Sequence, residues 1–405
     1  MKLSKNIVYA GVFLAFGGTL TAQTLYWDTN GATEGAGNPA DGTWDDTITN
    51  WSTSADGDIA TSVYSAGADV IFSAGSDADT AAVTITGTQL ANTLTFKNGA
   101  VTLTDGILDN SAANGYLNIT VNSGASATIN TQGNFNSNFN VEGTLFANAI
   151  IGGSNMSKTG SGTATFNRLD AILSVDEGTV VYTGTAGAKL KNATVNNTGT
   201  LRLTGNAFDG TKRNLTINTG GTVEFATAIN QTVSQFQGGG HLTGVAGSSL
   251  KIGGDNKTAT FDGSIDGQID IISGGTGSFT LSDSSSIEFT ILGDGENNSL
   301  LGDGNNTTTN INGTFSFNLD GADLSEGNSW LIVDVDALNE TFGGTFNIAS
   351  FTDSDGVWSY DIDSGLVFNE STGMLTYTMI PEPGAYAIML GVLATGLVVI
   401  RRRRS

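Results

Sequence analysis

Residues 162–166, Gly-Thr-Ala-Thr-Phe, and residues 178–182, Gly-Thr-Val-Val-Tyr, are two copies of one five-residue phrase. In each copy a glycine is followed by apolar residues at the second and fourth positions after it, and threonine or a residue of similar size lies between them. Alternation of this kind predicts a β-strand with one buried face. The glycine predicts a turn that needs a positive φ or a close approach of two backbones.

The phrase recurs along the chain between residues 99 and 281. Further copies begin with Gly99, Gly143, Gly199, Gly221 and Gly277, and looser copies begin with Gly124 and Gly247. The glycines from 124 to 221 are spaced by 19, 19, 16, 21 and 22 residues. About twenty residues with two or three short strands is the length of one β-solenoid coil. Stacked coils would align Val180, Leu201 and Val223 in one apolar column.

Residues 156–166 and 173–180 resemble the autotransporter-associated β-strand repeat. They read Met-Ser-Lys-Thr-Gly-Ser-Gly-Thr-Ala-Thr-Phe and Leu-Ser-Val-Asp-Glu-Gly-Thr-Val. The resemblance implies a right-handed parallel β-helix, the fold of many exported bacterial passenger domains. The phrase alone leaves an alternative open, because the same glycine turns close the hairpins of an antiparallel β-sandwich.

The end of the chain has three parts in a fixed order. Pro381-Glu382-Pro383 is a rigid polar tripeptide, residues 384–400 are apolar and uncharged, and Arg401, Arg402, Arg403 and Arg404 follow. Seventeen residues at about 1.5 Å each just span a hydrocarbon core. The pattern predicts a transmembrane helix whose arginine end stays on the cytoplasmic side.

This order resembles the PEP-CTERM sorting signal of Gram-negative bacteria. The resemblance implies processing by an exosortase-like membrane protease or transpeptidase, with the precursor held transiently in the inner membrane. It also implies an association with exopolysaccharide and biofilm matrix, at the cell surface or beyond it. The alternative is an ordinary C-terminal membrane anchor.

The start of the chain predicts export as well. Lys2 and Lys5 precede an apolar run over residues 7–20, and a small residue, Ala22, follows it. This is the pattern of a secretory signal peptide cleaved after Ala22. An uncleaved N-terminal anchor is the alternative.

Composition narrows the classes of partner and chemistry. The 405 residues include 56 glycines, 3 prolines and no cysteine, which favours sheets with many turns and excludes disulfides and thiolate metal sites. Without both predicted targeting ends, 10 of 16 Lys and Arg and 38 of 39 Asp and Glu remain, a charge of about −28. Nucleic acid is therefore not an expected partner.

Three of the five tryptophans lie close together after the signal peptide, at Trp27, Trp44 and Trp51. A solenoid needs a lid over its first coil, and large aromatic side chains are usually buried, so these residues predict a cap. The alternative is that they form glycan contacts by stacking on sugar rings.

Residues 291–312 are mainly Gly, Asp and Asn, which predicts a linker or long loop. Such oxygen-rich loops also suit calcium, although the spacing matches no calcium motif. No other cofactor is expected. Longer strand patterns follow, and residues 313–379 are predicted to form a small β-sandwich-like segment or an irregular cap on the end of the solenoid.

Candidate catalytic residues are few. His241 is the only histidine, and no serine has a nucleophile-elbow frame. The densest run of carboxylates is Asp255, Asp262, Asp266 and Asp270. Because parallel β-helices can carry polysaccharide lyases and hydrolases, which use paired carboxylates, that enzyme class remains an alternative.

The sequence thus predicts an all-β right-handed parallel solenoid that is exported and not an enzyme. Its expected parts are a signal peptide (1–22), an N-terminal aromatic capping region (23–92), solenoid repeats (93–290), a linker (291–312), a C-terminal β segment (313–379) and a sorting signal (380–405). The expected function is that of a surface or matrix protein of structural or adhesive type. A carbohydrate-binding module is the third possibility.

Overall fold

The computed structural model describes residues 22–379, apart from residues 111–114, 135, 149–150, 185–188, 209, 211, 254–256, 306 and 361–364. These residues form 38 β-strands and no helix. The predicted transmembrane helix at 384–400 and the rest of the sorting signal lie outside the described residues. Within them, no helix has the length and apolar character needed to cross a membrane.

The strands are short and follow one another along the whole described chain. The first are β1 (Thr24–Trp27), β2 (Gly42–Trp44), β3 (Trp51–Ser52), β4 (Ala68–Phe72), β5 (Thr80–Ile85), β6 (Thr88–Phe96), β7 (Ala100–Thr104), β8 (Ile107–Asn110), β9 (Tyr116–Val121), β10 (Ser126–Ile129), β11 (Gln132–Asn134), β12 (Asn136–Val141) and β13 (Thr144–Ala147). The next are β14 (Ile151–Thr159), β15 (Thr163–Phe166), β16 (Leu169–Val175), β17 (Gly178–Tyr182), β18 (Asn192–Val195), β19 (Gly199–Leu203), β20 (Asn214–Ile217), β21 (Thr222–Phe225), β22 (Asn230–Val233), β23 (Gln235–Gln237), β24 (His241–Ile252), β25 (Thr258–Phe261) and β26 (Ser264–Ser273). The last are β27 (Ser278–Leu281), β28 (Ser286–Thr290), β29 (Leu300–Gly302), β30 (Thr308–Ile311), β31 (Thr314–Asn318), β32 (Ser329–Leu331), β33 (Asn339–Phe342), β34 (Asn347–Ile348), β35 (Thr352–Ser354), β36 (Val357–Ser359), β37 (Leu366–Asn369) and β38 (Met374–Tyr377).

Two long sheets form the walls of a solenoid. The first sheet has 13 strands and runs from β3, β1 and β4 to β23, and the second has 16 strands and runs from β2 to β34. A third sheet of four strands, β25-β27-β30-β33, continues the first through a parallel bridge between Gly238 and Phe261. The chain alternates between the walls, and its crossovers agree with the right-handed sense usual for parallel strands.

The register of the second sheet confirms the apolar column that the repeat predicts. Val180 pairs with Leu201, and Leu201 pairs with Val223, all in parallel strands and all fully buried. The antiparallel sandwich is therefore excluded. Across the solenoid, Phe139 of the first sheet meets Phe166 of the second, with ring centroids 5.2 Å apart. The two walls thus share one continuous core, which a chain without cysteines needs.

The repeated glycines serve both purposes that the sequence suggests. A Cβ at Gly143 would overlap the carbonyl oxygen of Ala125, and one at Gly162 would overlap that of Gly143, because adjacent coils approach closely there. Gly178 instead has a φ of 64°, in the left-handed region that other residues avoid. One copy of the phrase lies elsewhere, because the strand after Gly277 belongs to the third sheet.

The charged side chain of Lys158 points into the solenoid. Lys158 is fully buried, although its neighbours along β14 alternate as a strand should. Its Nζ donates to the carbonyl oxygens of Gly160, of Gly162 at 2.7 Å and of Glu177 at 2.9 Å, and lies 3.5 Å from that of Val141. The ammonium group therefore joins the turns of adjacent coils.

The N-terminal end of the solenoid is closed by aromatic side chains. Trp51 makes edge contacts with Trp27 and Trp44, at centroid distances of 5.0 and 5.1 Å. Phe72 lies 6.0 Å from Trp51 and stacks on Phe96 of the next coil at 5.3 Å. This cluster forms a cap that is continuous with the core.

The C-terminal end is closed by a separate antiparallel sheet of five strands, ordered β32-β38-β37-β36-β35. Phe346 beside the last coil meets Trp358 of this sheet edge-on at 5.4 Å. This end of the described chain is therefore a single sheet packed on the last coil, which matches the predicted cap and differs from the predicted two-sheet sandwich. The coil supplies the apolar surface that a second sheet would otherwise provide.

The parallel coils extend beyond the range that the repeat predicts. Residues 291–312, predicted to be a linker, contribute β29 and β30 to the solenoid walls. Leu300 and Ile311 are fully buried there, and the Gly, Asp and Asn residues around them form the turns. Turns between coils have the composition of a linker, which explains the difference.

Candidate functional site

Most residues of the predicted sorting sites lie outside the described chain. These are Pro381, Glu382, Pro383 and Arg401, Arg402, Arg403 and Arg404. Ala22, the predicted cleavage residue, is the first described residue and precedes β1.

The lone histidine has a carboxylate partner on the outer surface. His241 Nε2 lies 2.9 Å from Asp266 Oδ2, and both side chains are partly exposed. Ser264 is next to His241 in the register of β24 and β26, but no hydrogen bond joins these two side chains in the described structure. Among the described residues, Ser264 is therefore not a nucleophile activated by His241.

The predicted carboxylate run separates into different surroundings. Asp255 lies outside the described residues, and Asp262 is exposed. Asp270 is half-buried in a cleft of about 290 Å³ that Glu296 also lines. Burial raises the pKa of Asp270, and the N–H of Ser299, which donates to it at 2.8 Å, opposes the rise. This cleft is one location that the described residues offer to a carboxylate-based enzyme; a second cavity, of about 410 Å³, is lined by Glu34, Asp56 and Asp77.

Oxygen-rich side chains among residues 293–305 hold turns together. Asp294 accepts the N–H of Ser329 at 2.9 Å, and Asp303 accepts that of Gly275 at 3.1 Å and pairs with Lys251 at 3.1 Å. Burial alone would raise the pKa of Asp303, but hydrogen bonds from Asn305, Lys251 and Gly275 hold it below its usual range. The described part of the chain holds no cluster of three or more His, Asp or Glu residues suited to a metal ion.

The three cap tryptophans present no ring face to solvent. Trp27, Trp44 and Trp51 are each 0% exposed, and the indole N–H of Trp27 donates to the carbonyl of Ala40 at 2.7 Å. Sugar stacking needs an exposed ring. Because they are buried, these three residues belong to the cap and have no exposed ring that could contact a glycan.

The outer side of the second sheet carries no charged side chain on the strands β10, β13, β15 and β17. In register, the outward side chains form two columns: Ser126, Thr144, Thr163 and Thr179 in one, and Thr128, Phe146, Thr165 and Val181 in the other. A third column follows the strand ends, with Asn130, Asn148, Asn167 and Thr183. We call these three columns the Asn/Thr face. None of its residues is charged, although the chain has 39 acidic residues.

The asparagines of the Asn/Thr face are joined into a ladder. The side-chain amide of Asn148 donates to Asn130 Oδ1 at 2.8 Å, and that of Asn167 donates to Asn148 Oδ1 at 2.7 Å. Thr183 Oγ1 then donates to Asn167 Oδ1 at 2.9 Å. One ladder therefore fixes the edge of the face over four coils.

Phe146 interrupts the face with the one aromatic ring among its residues. Its side chain is 40% exposed, and its neighbours in the column are Thr128 and Thr165. Sequence reasoning missed both Phe146 and the buried Lys158. A comparison of the copies contains a signal for the first, because the third position after glycine is Thr at 102 and 165 and Phe at 146.

Comparison of the chain with known protein families, with curated proteins and with solved structures finds no match in any of the three.

Proposed function

We propose that this protein is an exported structural or adhesive protein of the bacterial surface or extracellular matrix, sorted through its C-terminal Pro-Glu-Pro tail. The observation that carries the proposal is the continuous parallel solenoid with a cap at each end. Such a body is long, stiff and polar on the outside, as a matrix or surface element needs to be.

The charged groups support a non-catalytic role. Asp294, Asp303 and Lys251 hydrogen-bond to turns or pair with one another, and Lys158 is buried among carbonyls. These groups act in folding. A structural or adhesive role requires no catalytic group.

The sorting part of the proposal depends on residues 381–404. An exosortase-like enzyme would act near the Pro-Glu-Pro, and the body would then leave the inner membrane for exopolysaccharide at the surface. The test replaces Pro381-Glu382-Pro383 by three alanines and follows the protein through cell fractionation. We expect the variant to stay in the inner membrane, whereas unchanged surface delivery would refute the sorting role.

A polysaccharide lyase or hydrolase is the second candidate, and the cleft lined by Asp270 and Glu296 is what favours it. Two carboxyl groups in one cleft, one with a raised pKa, suit acid–base cleavage of a glycosidic bond. The full-length protein is incubated with neutral and acidic polysaccharides, with and without calcium. Chain shortening that is lost in Asp270→Asn would establish the enzyme, and intact polymers favour the structural role.

A further inference from the structure

We infer that the Asn/Thr face binds a neutral polysaccharide chain, with Phe146 stacked on a sugar ring and the asparagine ladder bonded to the sugar hydroxyls. The inference rests on the proposed function, because it names the class of polymer that an adhesive or matrix protein of this kind would bind. Its site is separate from the sorting tail and from the cleft at Asp270.

The first argument is the position of Phe146. Its ring is 40% exposed in the middle of a strand, where the equivalent residues of adjacent coils are threonines. A sugar ring presents an apolar C–H face and a rim of hydroxyls. An exposed aromatic ring bordered by hydroxyl and amide side chains matches both parts of that surface.

The second argument is the ladder beside it. An amide has two N–H donors and two acceptor positions on its oxygen, and Asn148 uses one donor and one acceptor within the ladder. One of each remains for a ligand. Because the ladder already holds the side chain, binding avoids much of the entropy cost of ordering a free side chain.

The third argument is charge, which selects a neutral polymer over an acidic one. The face carries no charge, and the chain without its two predicted ends carries about −28. A uniformly acidic glycan or a nucleic acid would meet repulsion from the rest of the body. A neutral chain meets none, and the adjacent coils, spaced by about 4.8 Å, offer it a repeating row of partners.

The test is affinity electrophoresis of the full-length protein, purified in mild detergent. Native gels contain hydroxyethyl cellulose, galactomannan or the acidic polymer polygalacturonate. We expect retardation in at least one neutral gel and none in polygalacturonate. Phe146→Thr should weaken the retardation at least about fivefold, as loss of a central aromatic contact does. Thr is the residue of the adjacent coils, so the fold should be kept, as circular dichroism will check.

Two further variants separate the face from general surface effects. Asn148→Ser shortens the middle of the ladder and should also weaken binding. Ile172→Thr is the matched control, since Ile172 is 39% exposed on the first sheet and lies outside the Asn/Thr face. It should bind like the wild type.

The outcomes distinguish this inference from the proposed function. Absence of retardation in every neutral gel, or equal retardation of Phe146→Thr and the wild type, overturns the inference and leaves the sorting experiment untouched. Phe146→Thr could instead dissociate a dimer in size-exclusion chromatography without changing the retardation in the gels. In that case the face binds a second copy of the chain and the inference is wrong. Failed sorting with intact glycan binding refutes only the proposed function.

Discussion

Replacing Lys158 by methionine should weaken the solenoid at its centre. Methionine has a similar length and flexibility, so it fills the same space without a cavity. It cannot donate the hydrogen bonds that Nζ makes to the carbonyls of the neighbouring turns. The expected loss is therefore one of buried hydrogen bonding, with little change in packing.

The size of the stability loss depends on which hydrogen bonds each carbonyl keeps in the methionine variant. The carbonyls of Val141 and Gly162 also accept backbone N–H groups, at 2.8 and 3.1 Å. Those of Gly160 and Glu177 have no backbone donor within the described chain. Each orphaned acceptor costs about 1–3 kcal/mol, and relief of the desolvated ammonium offsets part of the sum. We expect unfolding to become easier by about 2–4 kcal/mol.

The assay is urea unfolding of the full-length protein, followed by tryptophan fluorescence and by circular dichroism. Lys191→Met is the matched control, because Lys191 makes an exposed ion pair with Asp170 at 3.3 Å. Such surface pairs contribute about 0–1 kcal/mol. If Lys158→Met and Lys191→Met unfold at the same urea concentration, the buried lysine does not hold the coils together and the reasoning fails.

Three other expectations follow from the same coils. Gly143→Ala should destabilise the fold by about 1–3 kcal/mol, because the new Cβ overlaps a backbone carbonyl of the adjacent coil. Gly344→Ala is the control, since its Cβ meets open space, and it should leave thermal unfolding unchanged. Trp51→Ala should cost about 3–5 kcal/mol by emptying the cap, and an unchanged urea midpoint would contradict its place in the core. Burial lowers the pKa of Lys158 from 10.5 to about 8, against the attraction of Glu177. Between pH 8 and 10.5 the unfolded chain therefore keeps a proton that the folded chain releases. The stability of the wild type relative to Lys158→Met should rise with pH through that window. A stability difference that does not change with pH would rule out the lowered pKa.

The strand pattern could be predicted because burial imposes a period of two on each strand. Val180, Leu201 and Val223 follow that period with a glycine before each, and adjacent coils place them in register. The wall to which a strand belongs could not be predicted. The copy after Gly277 has the same local pattern as the others yet lies in the third sheet, because loop length, which the phrase does not encode, decides the wall.

The ends and the face were harder to predict for a different reason. The turns around Leu300 and Ile311 are rich in Gly, Asp and Asn, and the same residues make turns and linkers. Lys158 and Phe146 are exceptions to the binary pattern, one charged and inward, the other aromatic and outward. Their significance depends on which side chains of other coils surround them, and this requires the register.

The short strands at the two ends of the walls have a consequence for assembly. The first and last strands of the second sheet, β2 and β34, hold three and two residues, and the first sheet ends at the two-residue strand β3. A long bare margin of unpaired N–H and C=O groups is a template on which another chain can add strands. The described strands at these ends are too short to offer much of that margin, which disfavours growth of the coils into a fibril.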